Sequence, residues 1–289
     1  MQPAPWMAER ALGVEEASAL IESQFPQLAP ARVEPLGEGW DNTVFSVNGA
    51  WVFRFPRRQV AVPLLEAELR VLPALPALPL PVPLPELRGT ASERFPWPFA
   101  GYRLLPGITA DRAALTDAQR CAAARPLGKF LRALHAVPSS LGGPDSFARL
   151  DAGRIRAQTG QRLRELGIPI PGFFDQPVRA PRNGTLVHGD LHARQILVDA
   201  AGAVCGLIDW GDVHDGDPAC DLAIAHTLLP PHARDEFRAA YGEIDAETWA
   251  LSRLRGLHLG AALAVYARSA SDQRLLREAL RAIEFSRTA

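Results

Sequence analysis

The stretch "HGDLHARQILVD", residues 188–199, decides how this chain is read. Two histidines and an aspartate crowd a short segment between apolar Leu186 and Val187 and the branched run Ile196, Leu197 and Val198. Such a pattern is a loop clamped between two strands. Gln195 closes the loop. Downstream, the apolar run "CGLI" leads into Asp209, so a second carboxylate emerges from the end of a strand. If 185–188, 196–199 and 204–208 are adjacent short strands, Asp190, Gln195 and Asp209 converge on one side. Two carboxylates and an amide oxygen are hard donors, better suited to Mg²⁺ than to zinc. Phosphoryl transfer requires a base for a hydroxyl, an oxygen-ligated Mg²⁺ and a fixed cation on the phosphates.

Working outward, 289 residues with 47% hydrophobic content form one large domain or two modest ones. A net charge of −1 gives no global reason to bind nucleic acid or a membrane surface. The charge is uneven, however: residues 209–249 hold ten acidic residues and only two basic ones, Arg234 and Arg238. This segment is either a set of solvated helix faces or a receiver for a cation. Cys121, Cys205 and Cys220 form no CxxC, which predicts a reduced, cytoplasmic setting. The opening residues lack the apolar region of a signal peptide, and no apolar run approaches the ~20 residues of a membrane span. Lys129 is the only lysine in the chain.

The first part of the chain is strand-rich. A short amphipathic helix over 14–25 precedes strands at 44–47 and 51–55, joined by an Asn48-Gly49 turn. Gly37 and Gly39 read as a flexible connection, and 62–72 as a helix. Residues 73–85 contain six prolines and read as an extended loop packed within this first part. A further strand lies within 97–107. Helices then dominate, at 116–137 with an interruption at Pro126, at 152–166, and beyond the 185–210 hairpin to the end. Leu127, Phe130, Leu131 and Leu134 have the spacing of a core-facing helix. The fold class is α+β, with a small antiparallel-sheet lobe over 1–105 and a larger, mostly helical lobe over 106–289.

The segments "HGDLHARQILVD", "GLIDWGD" and "GDPACDLA", in this order, resemble the aminoglycoside phosphotransferase family, a small-molecule branch of the protein kinase-like fold. The usual form there is HGDxxxxN followed by a hydrophobic-Asp pair. "GWDNTVFSVNGAWVFRFPRR", "LLEAELRVL" and "LGKFLRALHAV" extend the resemblance over most of the chain, and it takes in macrolide phosphotransferases as well. It implies a bilobal kinase-like fold that moves the γ-phosphate of ATP or GTP, with Mg²⁺, to a hydroxyl of a small molecule. Candidate acceptors are a cationic antibiotic such as an aminoglycoside, a macrolide, an amino alcohol or a sugar. No nucleic acid or membrane partner is implied, and the oligomeric state stays open.

Residue by residue, the resemblance makes Asp190 the catalytic base. It places Gln195 and Asp209 on Mg²⁺, Arg54 on the phosphates and Glu68 as the ion partner of Arg54. The connection from Leu36 to Thr43 would cover the phosphates, with Thr43 assisting. The base of the nucleotide would dock on the backbone between Arg103 and Leu105, with Tyr102 behind it. Two departures stand out, Arg54 where the family has lysine and Gln195 where it has asparagine. They keep a nucleotide-binding protein without transferase activity as an alternative. A metal hydrolase built on His188, Asp190, His192 and Asp209 would leave the first-lobe motifs unexplained. His188 is read as bracing the loop onto the segment around Asp209, whereas His192 either faces substrate or packs. Asp217 and Asp221 are read as capping and bracing the following helix, and Trp97 and Trp210 as packing.

Overall fold

A computed structural model describes residues 8–288. The chain divides into two compact units. One takes in the residues up to Leu75 together with Val82–Leu105, and the other Pro76–Pro81 together with the chain from Pro106 onward.

In the first unit, α1 (Val14–Gln24) leads into the antiparallel strands β1 (Val33–Glu38), β2 (Asn42–Val47) and β3 (Trp51–Pro56). Helix α2 (Ala61–Val71) follows, then β4 (Pro85–Gly89) and β5 (Phe99–Arg103). The sheet order is β1-β2-β3-β5-β4. Asn48 and Gly49 both have positive φ, 53° and 64°, which matches the twist of the β2–β3 hairpin. Strand alternation separates the two faces of the sheet. Phe45 and Val47 on β2, and Phe53 and Phe55 on β3, join Phe25, Phe95, Trp97 and Phe99 in a buried aromatic core. Phe55 and Phe99 stack with centroids 4.5 Å apart. Gly101 has to be glycine here, because a Cβ would lie 2.7 Å from the Phe53 ring. Val44, Val52, Arg54, Ala100 and Tyr102 take the other face, Arg54 standing opposite Val44 and Ala100 and Val52 opposite Tyr102.

Two expectations change in this unit. Gly37 is not in a loose connection: it lies in β1, where the register shifts between Pro35 and Gly37 at a bulge. The proline-rich stretch does not all pack in the first unit. Pro76–Pro81 belongs to the second, where the Leu207 N–H donates to the Pro81 carbonyl at 3.0 Å. Prolines lack a donor but keep a carbonyl, so such a segment can still take one strand-edge bond.

The second unit starts with β6 (Ile108–Thr109) and α3 (Asp117–His135), the latter opened by a Thr116–Gln119 capping box. Then come β7 (Gly143–Pro144), α4 (Ala152–Leu166), β8 (Thr185–Val187), β9 (Ile196–Val198), β10 (Val204–Leu207) and β11 (His214–Gly216). Helices α5 (Ala219–Leu222), α6 (Ile224–Thr227), α7 (Arg234–Tyr241), α8 (Ala246–Ser269) and α9 (Gln273–Arg287) complete it. The three segments expected to be neighbours fall into two small sheets. β9 lies between β10 and β6, whereas β8 pairs with β11. The charged loop therefore ties one sheet to the other. Leu127, Phe130, Leu131 and Leu134 are fully buried, as their spacing predicts. Among the described residues no helix is long and apolar enough to cross a membrane.

Candidate active site

In the first unit, Arg54 reaches Glu68 across from β3 to α2. The guanidinium Nη1 donates to both carboxylate oxygens, at 2.9 and 2.7 Å. Glu68 is fully buried and Arg54 nearly so. A carboxylate in that position is tolerable only because it is paired. The pairing holds the guanidinium on the sheet face that also carries Tyr102. Thr43 does not share this face. It stands opposite Phe55, on the side of the aromatic core, and is buried. Its side chain therefore cannot join Arg54 on a common ligand, and that expectation is corrected. The Arg103 side chain lies over Trp51, 3.8 Å from the ring centroid, and meets Glu86 at 3.3 Å. β5 ends at Arg103, and the Leu104 N–H donates to the Ala50 carbonyl, which leaves Leu105 just past the last strand pairing.

In the second unit, the 188–195 loop is held from three sides. The buried Asp221 carboxylate accepts the backbone N–H groups of His188 and Gly189, at 2.7 and 2.9 Å, and lies 3.2 Å from His135 Nε2. His188 Nδ1 accepts the Asp190 N–H, so Nε2 carries the proton and donates to the Ile208 carbonyl at 3.1 Å. The ring packs at a tilt against buried Trp210, with centroids 4.8 Å apart. His188 thus braces the loop onto the segment before Asp209, as expected, and Trp210 is packing. Asp221 differs from expectation: it anchors the loop rather than a helix. Asp217 alone caps α5, accepting the Ala219 N–H at 2.9 Å, and it also pairs with Arg179. Gly189 has φ +91°, and a Cβ there would lie 2.2 Å from the Asp212 carbonyl oxygen. No other residue fits.

The Asp190 carboxylate, about a third exposed, lies 3.4 Å from His192 Nε2 and 3.7 Å from Arg255 Nη2. Burial favours its neutral form, but His192, Arg255 and Arg149 outweigh that and hold it down at about 2. It is therefore ionised at any working pH. His192 accepts the Arg194 N–H through Nδ1, which leaves Nε2 to face Asp190. Asp212 is pushed the other way, to about 6, by burial and by the charges of Asp190 and Asp209, against its ion pair with Arg149.

Gln195 and Asp209 do come together. Gln195 Nε2 lies 3.5 Å from Asp209 Oδ2, and the Ile208 N–H donates to the Gln195 carbonyl. Gln195 Oε1 is buried without a hydrogen-bond partner. An orphaned amide oxygen beside a carboxylate is the donor set a hard cation uses. Asp209 has φ 66°, a left-handed conformation that a non-glycine residue adopts at a cost of roughly 1–3 kcal/mol. Among the described residues no three His, Cys, Asp or Glu side chains form a complete cage. The arrangement instead suits Mg²⁺, which takes one or two protein ligands plus phosphate oxygens and water.

Sequence reasoning missed Arg255 and Arg149. Both approach the loop from elements remote in sequence, and neither sits in a motif. Asp212 was visible within "GLIDWGD" but had no assigned role. The acidic 209–249 segment is largely spent internally: Asp212 pairs with Arg149, Asp217 with Arg179, Glu236 with Arg125 and Glu247 with Arg182, while Asp245 caps α8.

Comparison with known proteins agrees with this geometry. A family model described as the phosphotransferase enzyme family, APH, matches residues 32–257. The uncharacterized protein YcbJ of Bacillus subtilis (strain 168) is 27% identical over 220 residues, covering 69% of this chain and 70% of that protein. The structure of the GDP and kanamycin complex of APH(2")-IIIa superposes with a TM-score of 0.67 and 25% identity, covering 93% of this chain and 97% of that one. The apoenzyme of macrolide 2'-phosphotransferase MphH from Brachybacterium faecium shares the fold, with a TM-score of 0.56, 24% identity and coverage of 88% and 91%. With a family model spanning most of its length and a bilobal kinase-like fold beneath it, this chain belongs to the APH phosphotransferase enzyme family.

Proposed function

We propose that this protein transfers the γ-phosphate of ATP or GTP to a hydroxyl of a small molecule. The observation that carries the reading is Asp190, an ionised and partly exposed carboxylate held by His192 and Arg255 on the loop that ends in Gln195, whose amide meets Asp209. Asp190 accepts a hydrogen bond from the acceptor hydroxyl and takes its proton as the phosphoryl group moves. A carboxylate held near 2 is a weak base. That is adequate for a loose transition state, in which positioning counts for more than early deprotonation. Gln195 Oε1 and Asp209 would hold Mg²⁺, which supplies charge neutralisation on the nucleotide phosphates. Arg54, fixed by Glu68, grips phosphate oxygens in place of the family's lysine. The backbone from Arg103 to Leu105 would receive the nucleotide base.

Kanamycin in the APH(2")-IIIa complex and the macrolide activity named for MphH make aminoglycosides and macrolides the first acceptors to try. The acidic segment is a weak guide to the acceptor's charge, since Asp212, Asp217, Glu236 and Glu247 are paired with arginines within the fold. The test is a panel of aminoglycosides, macrolides, amino alcohols and sugars with ATP or GTP and Mg²⁺, read as nucleoside diphosphate release. Acceptor-stimulated release with at least one compound supports the reading. Nucleotide binding with no release from any acceptor would favour a protein that binds nucleotide without transfer.

A further inference from the structure

The second unit contains a cavity of about 370 Å³ that the reaction above does not use. That is within the size range of small-molecule sites. Arg156, Arg234, Arg238 and Arg253 line it, and no Asp or Glu does. Among the described residues no ion pair joins any of the four to a carboxylate. Their hydrogen bonds go to backbone carbonyls: Arg156 to Phe174 and Gln176, Arg234 to Ala225, Phe285 and Thr288, and Arg253 to Ser286 and Arg287. Several of those carbonyls end α9, whose dipole is worth roughly half a negative charge. Four guanidiniums against half a charge leave the cavity strongly positive. The consequence shows in Arg234, which burial and the neighbouring Arg253 lower to about 10.

The walls also offer flat apolar surfaces. Arg253 lies 3.9 Å from the Phe173 ring centroid, and Arg238 lies 5.4 Å from that of Trp249. His226 packs on Trp249 with centroids 4.3 Å apart. Ser252 Oγ donates to the Trp249 carbonyl and so accepts from His226 Nε2. Nδ1 is then a lone-pair acceptor, and it is buried without a partner. Burial together with Arg234 and Arg253 keeps the ring neutral.

We propose that this cavity binds a phosphate monoester carried on a planar apolar body. Guanidiniums take the phosphate oxygens, and the remaining P–O–H of a monoanion can donate to His226 Nδ1. An ionised carboxylate offers only acceptors and would leave Nδ1 unpaired. The planar body lies against Trp249 and Phe173. The site is separate from Asp190. Arg253 faces this cavity, whereas Arg255, which contacts Asp190, projects from α8 roughly 200° around the helix at 100° per residue.

The experiment is calorimetric titration of the full chain with phenyl phosphate and, separately, benzoate. Two variants accompany it. Arg238→Ala removes an exposed guanidinium that makes no side-chain hydrogen bond among the described residues, and Ala250→Trp fills the cavity from an exposed helix position. Phenyl phosphate is expected to bind at one site with a Kd of about 1 mM or tighter. Each variant should weaken that binding by about tenfold or more, the scale of one charge-assisted contact, while Mg²⁺–nucleotide binding stays as in wild type. Absence of saturable binding overturns the proposal. So does binding that ignores both variants, which would place the probe elsewhere, and so does benzoate binding as tightly as phenyl phosphate.

Discussion

Asp190 meets two opposed demands. It must be ionised to accept a proton, yet it sits where burial favours the neutral acid. His192 and Arg255 settle the contest in favour of the anion. Replacing Asp190 by Asn keeps the shape and removes the base, so kcat should fall by about 10²–10⁴ with nucleotide affinity nearly unchanged. Steady-state kinetics that show near-normal turnover would take the role away from Asp190. Gln195 gives a second test at this scale. Gln195→Leu is close in size but lacks Oε1. The Mg²⁺ concentration for half-maximal turnover should rise by about tenfold or more, since perturbing even the outer shell of a metal site costs 10–100-fold. An unchanged Mg²⁺ titration would mean that the amide oxygen is not a ligand.

At the scale of elements, a strand and a helix fix each other in the first unit, and in the second a loop is anchored by Asp221. Arg54 on β3 and Glu68 on α2 form a buried pair. Removing one partner leaves the other charge uncompensated, and Arg54→Ala should cost about 3–5 kcal/mol of stability. The double change Arg54→Met with Glu68→Leu should recover most of that in thermal melts, because both charges go together. Its nucleotide KM should stay raised. If nucleotide kinetics recover along with stability, Arg54 is a structural residue only. The loop rests on Asp221, which burial would push up but which His135, His188 and the loop N–H groups hold below the usual carboxylate range. A lowered folded pKa contributes stability that is present above the ordinary value near 3.8 and lost as the pH falls through the lowered one. Asp221→Asn should therefore destabilise the fold by about 1–3 kcal/mol at neutral pH and show a shallower loss of stability with acid. Circular dichroism melts across that range decide the matter.

The β2–β3 hairpin and α3 were legible because their signals are local: an Asn-Gly turn and a repeating apolar stripe. The pairing of β8 with β11 was not. Both strands are three residues long, and their partners are chosen by tertiary packing rather than by any periodicity. Thr43 shows the reverse lesson. The alternation that buries Phe45 and Val47 was readable, and it already put Thr43 on the core face.

For the whole molecule, the sequence conveyed the α+β class and the kinase-like plan, because several motifs had to agree in order along the chain. It could not convey that Pro76–Pro81 joins the second unit, which rests on contacts distant in sequence. Nor could it show that four carboxylates of the acidic segment pair with arginines remote in sequence, since ion pairing is a property of the folded state. In the first unit, buried Tyr102 shares the sheet face of Arg54, and a bulky residue there narrows the space for a nucleotide base. GTP should consequently support turnover within about tenfold of ATP, a difference of no more than ~1.4 kcal/mol. A larger ATP preference in kcat/KM would deny Tyr102 a part in nucleotide choice. The central claim is transfer of a phosphoryl group to a small-molecule hydroxyl with Asp190 as base. ³¹P NMR of the reaction mixture, with an acceptor that stimulates diphosphate release, tests it most directly. Wild-type protein should produce a new phosphate monoester resonance that grows with nucleoside diphosphate, and Asp190→Asn should produce almost none. Diphosphate accompanied only by inorganic phosphate, or a monoester formed equally fast by Asp190→Asn, would contradict the account.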